Sequence, residues 1–411
     1  MKPAPQLSIL VSLLSIGTLA ADFPPSNSSQ CGNSSVLTVE ISTGTLHGAF
    51  VPSNSCVRQF RGIPYGRAPI GDLRFEPPQP ALPFGDIEVK KYAPSCPQYL
   101  MEIPPTIYTR YVPEYNLEGL NITSPNLSED CLTLSVWSPA NAPSEQGGPG
   151  FLRRPLLPVL IYVYGGAFLT GGEDVPAQIP TQWIERTDAH IVVIANYRLN
   201  IFGFPNARGQ PLEKQNLGLL DQRLAVEWVR DNIAAFGGDP NRITLWGQSA
   251  GAISVGFYQY AHAEDPIAKA FIMDSGSELL PIAFAPKPAF SNFTFVASQL
   301  GCGNLSAEAE LACMKGTNIT AKMVEDVIQD HNQNHFESFL FFRPVVDGIN
   351  VFADYVAKAR AGEIAKLVSQ YPTCFSFQKR MTSTKYFLLT CYSFDYSQRF
   401  LEPTKMMAAP L

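Results

Sequence analysis

The chain has 411 residues, 45% of them apolar, 16% charged and 11% aromatic, and a formal net charge of −6. Ample apolar content without long like-charge blocks excludes a disordered chain, and the acidic balance excludes a nucleic-acid binder, which needs a basic face. No collagen period, heptad array or longer internal repeat is visible, which leaves a large globular protein.

At the start, Lys2 precedes the apolar stretch Leu7–Ile16 and the small residues Gly17-Thr18-Leu19-Ala20. This predicts a secretory signal peptide over residues 1–20, with Thr18 and Ala20 at the cleavage positions. The competing reading is a membrane anchor, but the stretch is too short to span a bilayer and is interrupted by Ser8, Ser12 and Ser15. No later run is long enough for a stable membrane span, so a secreted, extracellular protein is expected. Asn-x-Ser/Thr sequons at Asn27, Asn33, Asn121, Asn126, Asn292, Asn304 and Asn318 suit a glycosylated surface. The eight cysteines include no C-x-x-C pair or Cys/His cluster, which disfavours zinc and thioredoxin-type chemistry and favours disulfides in an oxidising compartment.

Residues 21–35 read as a loose leader. From Val36, the alternation of Val36, Thr38 and Glu40 against Leu37, Val39 and Ile41, followed by Gly44 and Gly48, predicts an antiparallel hairpin. Three continuous apolar runs, Pro158–Tyr164, Ile191–Ala195 and Ile243–Trp246, predict buried strands of a mostly parallel sheet, with Lys269–Met273 a fourth. Between them, Leu217, Leu220, Leu224 and Trp228 recur at helical spacing and Gly237-Gly238 closes the segment. Strands alternating with helices give an α/β class, with helices on both faces of the central sheet.

The chemistry is carried by Gly247-Gln248-Ser249-Ala250-Gly251, which follows a strand and enters a stretch suited to a helix as far as Tyr260. A serine on a sharp strand-to-helix turn needs small residues two positions either side, because a Cβ there clashes with the tight backbone. The following helix points its N–H groups and dipole at the serine oxygen. A second element, Tyr164-Gly165-Gly166-Ala167-Phe168, ends a strand with unshielded backbone N–H groups, as an oxyanion hole requires. Alone it reads equally as an ordinary turn; with the serine elbow it favours acyl transfer from an ester.

Phe236-Gly237-Gly238, followed after four residues by Ile243 to Gly251, resembles the serine signature of the type-B carboxylesterase/lipase family. Glu129 to Trp137 resembles its second signature, and Phe60-Arg61-Gly62-Ile63-Pro64-Tyr65, Asn196-Tyr197-Arg198 and Asp274-Ser275-Gly276 match family segments in order. The resemblance covers roughly Val36 to Leu367 and implies an α/β-hydrolase fold. It implies Ser249 as nucleophile, with the backbone N–H groups of Gly166, Ala167 and Ala250 as the oxyanion hole. The Gly-Gly-Ala form departs from the family's commoner triple glycine, which narrows the pocket. The resemblance also pairs Cys96 with Cys131 and Cys302 with Cys313. It equates the first of these loops with the lid of the lipase members. Tyr99, Leu100, Met101, Ile103, Ile107, Tyr108 and Tyr111 make that loop apolar, which suits a lid or, equally, a packed surface loop. It contains no tryptophan to hold a quaternary ammonium, so a choline ester is not favoured.

The implied product is a secreted serine hydrolase that cleaves small-molecule or lipid esters through an acyl-enzyme, with no cofactor and no metal. The rival class is a non-catalytic adhesion member of the same fold; such members usually lose the serine and carry a membrane segment. The pattern breaks at the general base. Only His47, His190, His262, His331 and His335 occur. His331 and His335 precede Arg343-Pro344-Val345-Val346-Asp347-Gly348, which in the family comes before the acid, so neither is the family histidine. As an i, i+4 pair they lack the glutamate of a zincin and read as a solvated helix face.

From Val368 to Leu411 there is no glycine, and nine of the 44 residues are Phe or Tyr. Val368-Ser369 is also what the commonest intron opening encodes. The expected organisation is therefore a signal peptide (1–20), a leader (21–35), a carboxylesterase type-B domain (36–367) and an aberrant tail (368–411), translated from an unspliced intron or a misassigned exon. On that reading the C-terminal part of the fold is missing. The acid and base are unassigned in this chain, the sheet ends on an unpaired apolar edge, and turnover is impaired.

Overall fold

The continuous apolar runs become the centre of a seven-stranded sheet in the computed structural model, which describes residues 34–51, 56–99, 126–143, 155–280 and 284–366 and the backbone of 373–377 and 388–392. The expected signal peptide, the leader up to residue 33, Asn121, the apolar residues from Leu100 to Tyr111 and most of the tail lie outside the described residues. Strands β1 (Thr38–Ile41) and β2 (Gly44–His47) form the expected hairpin, with Val39 and Leu46 buried. Strand β3 (Ala49–Phe50) and β4 (Val57–Pro64) follow, and β5 (Gly85–Glu88) adds to β2 in parallel to complete a small three-stranded sheet.

The large sheet is completed by β6 (Thr133–Pro139), β7 (Leu157–Val163), β8 (Ile191–Ala195), β9 (Gly238–Gln248) and β10 (Ala270–Asp274), in the order β10-β9-β7-β8-β6-β4-β3. Its first four strands are parallel, and β6, β4 and β3 join antiparallel at the other end, so the sheet is mixed. All five residues of β8 are buried, as expected of a parallel strand covered on both faces. Among the described residues β9 is the only partner of β10, which leaves β10 at the sheet edge.

Helix α1 (Thr181–Thr187) precedes β8, and the single-turn α2 (Asn200–Gly203) follows it. The predicted helix appears as α3 (Leu217–Asn232), continued by a 3-10 turn to Phe236 and stopped by Gly237 at φ 91°. Its buried stripe runs through Leu217, Asp221, Ala225, Trp228 and Val229, while Leu220 and Leu224 are only half-buried. Asp221 belongs to that stripe because it is paired: its carboxylate accepts two bonds from the Arg198 guanidinium, at 2.7 and 2.8 Å, and one from the Arg198 N–H. Helix α4 (Ala250–Ala261) springs directly from the end of β9.

A second apolar cluster lies among α5 (Phe290–Gln299), α6 (Ala307–Met314) and α7 (Ala321–Asn334), with Phe75, Phe202, Phe293, Ile328 and Phe342 buried together. Cys302 is bonded to Cys313 across this cluster, closing an 11-residue separation. Arg74 joins the cluster to the rest of the chain. Its guanidinium grips the Glu129 carboxylate at 2.6 Å and donates to the Met314 and Ile319 carbonyls. Helix α8 (Tyr355–Ala361) is capped by Asp354 and stopped by Gly362. Strands β11 (Thr373–Phe377) and β12 (Leu388–Tyr392) pair antiparallel, with Cys374 opposite Cys391.

Candidate active site

Strands β7 and β9 are parallel neighbours, with Val163 beside Gly247. The loop after each therefore emerges at the same, carboxyl end of the sheet, where open α/β sheets place their ligands. Ser249 occupies the position before the N-terminus of α4 with φ 54° and ψ −119°, a positive-φ conformation that a residue with a Cβ rarely adopts. Such a conformation costs about 1–3 kcal/mol and persists only where the surroundings impose it. Here the Ser249 N–H donates to the Asp274 carbonyl at 2.8 Å, and the Ser249 carbonyl accepts from Ile253 at 2.9 Å.

The glycines of the motif are explained by distance. A Cβ on Gly251 would lie 1.9 Å from the Val163 carbonyl oxygen, and one on Gly247 would lie 2.3 Å from the Gly251 backbone. Gly276 is equally confined, 2.3 Å from the Ser249 carbonyl oxygen by the same measure. Ser249 itself is half-buried, its side chain makes no capping bond, and no described residue hydrogen-bonds its hydroxyl. The hydroxyl stands at the positive end of a 12-residue helix.

The loop after β7 packs against this elbow: a Cβ on Gly165 would lie 2.9 Å from that of Ser249. Gly166 (φ 121°), Ala167 (φ 58°) and Phe168 (φ 62°) all take left-handed conformations. The turn is closed by Leu169 and Thr170 N–H bonds to the Gly166 carbonyl. Among the described residues no acceptor is bonded to the N–H groups of Gly166, Ala167 or Ala250, so the three expected donors are open. Behind the loop the Tyr164 and Tyr197 rings stack at 4.5 Å, and the Tyr197 hydroxyl donates to the Tyr164 carbonyl.

Two carboxyl groups in this region were not visible as site residues from sequence. Glu173, fully buried, accepts from the Thr133 hydroxyl at 3.0 Å and the Ser135 hydroxyl at 2.7 Å, and its N–H donates to the Asn196 side chain. Burial pushes its pKa up to about 8, against the pull of the two hydroxyls. Asp274 gives its carboxylate to the Trp246 indole N–H at 2.6 Å, so it braces the elbow.

The histidines are engaged elsewhere. His47 bonds Thr38 in the small sheet, and His190 bonds Thr187 before the start of β8. His262 lies beyond the far end of α4, about 20 Å along the helix from Ser249. Burial and the nearby Arg223 charge lower its pKa to about 4. His331 meets the Ser338 carbonyl, and His335 is the residue that ends the same helix, its ring 5.0 Å from that of His331. Among the described residues no three potential ligands cluster to hold a metal ion, and no helix is long and apolar enough to cross a membrane. Cys96 is bonded to Cys131 at the root of the loop that leads to residues 100–125.

The carboxylesterase family profile matches residues 35–395. The chain belongs to the carboxylesterase family. It is 45% identical over 313 residues to a chlorogenic acid esterase of Aspergillus niger, a match covering 76% of this chain and 56% of that protein. It is 38% identical over 331 residues to secreted lipase 5 of Gibberella zeae, covering 77% and 59%. A match to the cholinesterase of Mus musculus is 36% identical over 263 residues, covering 63% and 40%. The chain thus spans somewhat more than half the length of these fungal carboxylesterase relatives.

Proposed function

We propose that this carboxylesterase-family chain is the nucleophile-bearing part of a secreted esterase. Ser249 attacks the carbonyl of a carboxylic ester to form an acyl-enzyme, and the N–H groups of Gly166, Ala167 and Ala250 receive the developing oxyanion. The observation that carries this reading is the strained Ser249 at the head of α4, its hydroxyl without a partner among the described residues, packed against a loop whose Gly166 and Ala167 N–H groups are open. The likeness to a chlorogenic acid esterase supports a small-molecule carboxylic ester such as chlorogenic acid as substrate. The Ala167 methyl narrows the acyl or the alcohol side of the pocket. The predicted signal peptide, the sequons and the likeness to a secreted lipase support export.

Within the described residues nothing takes the Ser249 proton, because each histidine is committed to another place. Turnover by these 411 residues is therefore impaired. Preorganised donors and binding without a base still give about 10³–10⁴-fold acceleration over water. Steady-state hydrolysis of p-nitrophenyl acetate by the purified chain tests this. The expected rate lies in that residual range. A kcat of about 1–10³ s⁻¹, ordinary for an enzyme, overturns the impairment, and a rate equal to buffer overturns the oxyanion hole.

A further inference from the structure

The loop from Gly165 to Asp174 has four left-handed positions, at Gly166, Ala167, Phe168 and Gly171. Its near end is fixed by contact with the Ser249 elbow. Its far end is held by a side chain from a distant part of the sequence. The Gln98 side-chain amide donates from Nε2 to the Gly171 carbonyl at 2.9 Å and accepts from the Gly171 N–H on Oε1 at 2.9 Å. It therefore pairs with Gly171 as a neighbouring strand would. The same Nε2 donates to the Cys96 carbonyl at 3.1 Å, and Gln98 is only 4% exposed.

The surroundings of Gln98 are equally constrained. Cys96, two residues earlier, is bridged to Cys131, and both are fully buried. The Ser95 hydroxyl donates to the Asp174 carboxylate at 3.2 Å. The Pro97 carbonyl accepts from Asn200 Nδ2, while the Asn200 N–H donates to the Phe168 carbonyl at 2.7 Å. Residues 95–98 thus hold the loop at Phe168, Gly171 and Asp174. Strained backbone of this kind survives only where its neighbours over-determine it.

We propose that Gln98 is a positioning residue: it locks the loop that carries the Gly166 and Ala167 N–H groups, and the Cys96–Cys131 bridge sets its register. This rests on the reading of that loop as the oxyanion hole. Gln98→Met keeps the shape and removes every bond. Gln98→Glu keeps an acceptor for the Gly171 N–H and removes the donors. Hydrogen exchange of the peptide spanning residues 164–172 reads the locking without any activity, because the Leu169, Thr170 and Gly171 N–H groups are bonded in the native loop.

Gln98→Met is expected to speed that exchange by about tenfold or more while β7 and β8 keep native protection, and Gln98→Glu falls between Met and the native chain. Acylation of Ser249 by p-nitrophenyl acetate is expected to slow by about tenfold or more in Gln98→Met, with the half-saturating ester concentration within about twofold of native, as for weakened oxyanion donors. Native exchange in both variants overturns the proposal. So does accelerated exchange with unchanged acylation. If the native chain never acylates Ser249, the oxyanion reading fails, and the exchange data still decide whether Gln98 locks the loop.

Discussion

Glu173 makes the stability of this protein depend on pH in a direction opposite to that of most carboxylates. Burial raises its pKa from the ordinary 4.5 to about 8, with Asp174 adding to the rise and Arg61 opposing it. Between those two values the folded state keeps the proton and the unfolded state has lost it. Stability is then fully present below pH 4.5 and is lost as pH rises toward 8, at about 1.4 kcal/mol per pH unit. From pH 5 to pH 7 this one group costs about 3 kcal/mol. Glu173→Gln retains an acceptor for one of the Thr133 and Ser135 hydroxyls, offers its NH2 to the oxygen of the other, and cannot ionise. Urea unfolding of native and variant chains at pH 5, 6 and 7 isolates the effect, because all other titrating groups cancel in the difference. The variant is expected to gain on the native chain by about 1.4 kcal/mol with each pH unit. A difference that does not change with pH, or one that moves the other way, refutes the assignment of a buried, protonated Glu173.

Two further outcomes follow from the geometry. Gly251→Ala places a methyl group 1.9 Å from the Val163 carbonyl oxygen. Neither backbone can yield without disturbing the sheet, so a loss of at least about 3 kcal/mol in unfolding free energy is expected. In chain secreted from a eukaryotic host, glycopeptide mapping is expected to find glycans on the exposed Asn126, Asn304 and Asn318. None is expected on Asn292, which is half-buried and whose side-chain nitrogen donates to the Phe341 carbonyl.

The parallel strands were legible because both faces of such strands are covered, so β8 had to be apolar throughout. The elbow was legible because its glycines answer to a local clash. Strand β6 shows where local pattern fails. Thr133 and Ser135 alternate with apolar residues as though one face met water, and Ser138 falls on the opposite face, yet every residue from Thr133 to Pro139 is buried. Their hydroxyls are taken by Glu173 and by the Arg58 side chain. Those partners lie 38 to 80 residues away, so periodicity cannot reveal them. The pairing of Gln98 with Gly171 was hidden for the same reason, as was the addition of the exposed β5 to β2. The helical period places Leu220 and Leu224, which are half-buried, on one stripe with Leu217 and Trp228, and it cannot foresee that Asp221, once paired with Arg198, belongs inside.

The most direct test of the account is the site at which an activated ester leaves its acyl group. The purified chain is incubated with p-nitrophenyl acetate, digested, and its peptides weighed, beside a Ser249→Ala chain treated identically. The account predicts one slow acetylation, on Ser249, absent from the variant. Acetyl groups on other residues alone, or the same pattern in both chains, contradict it.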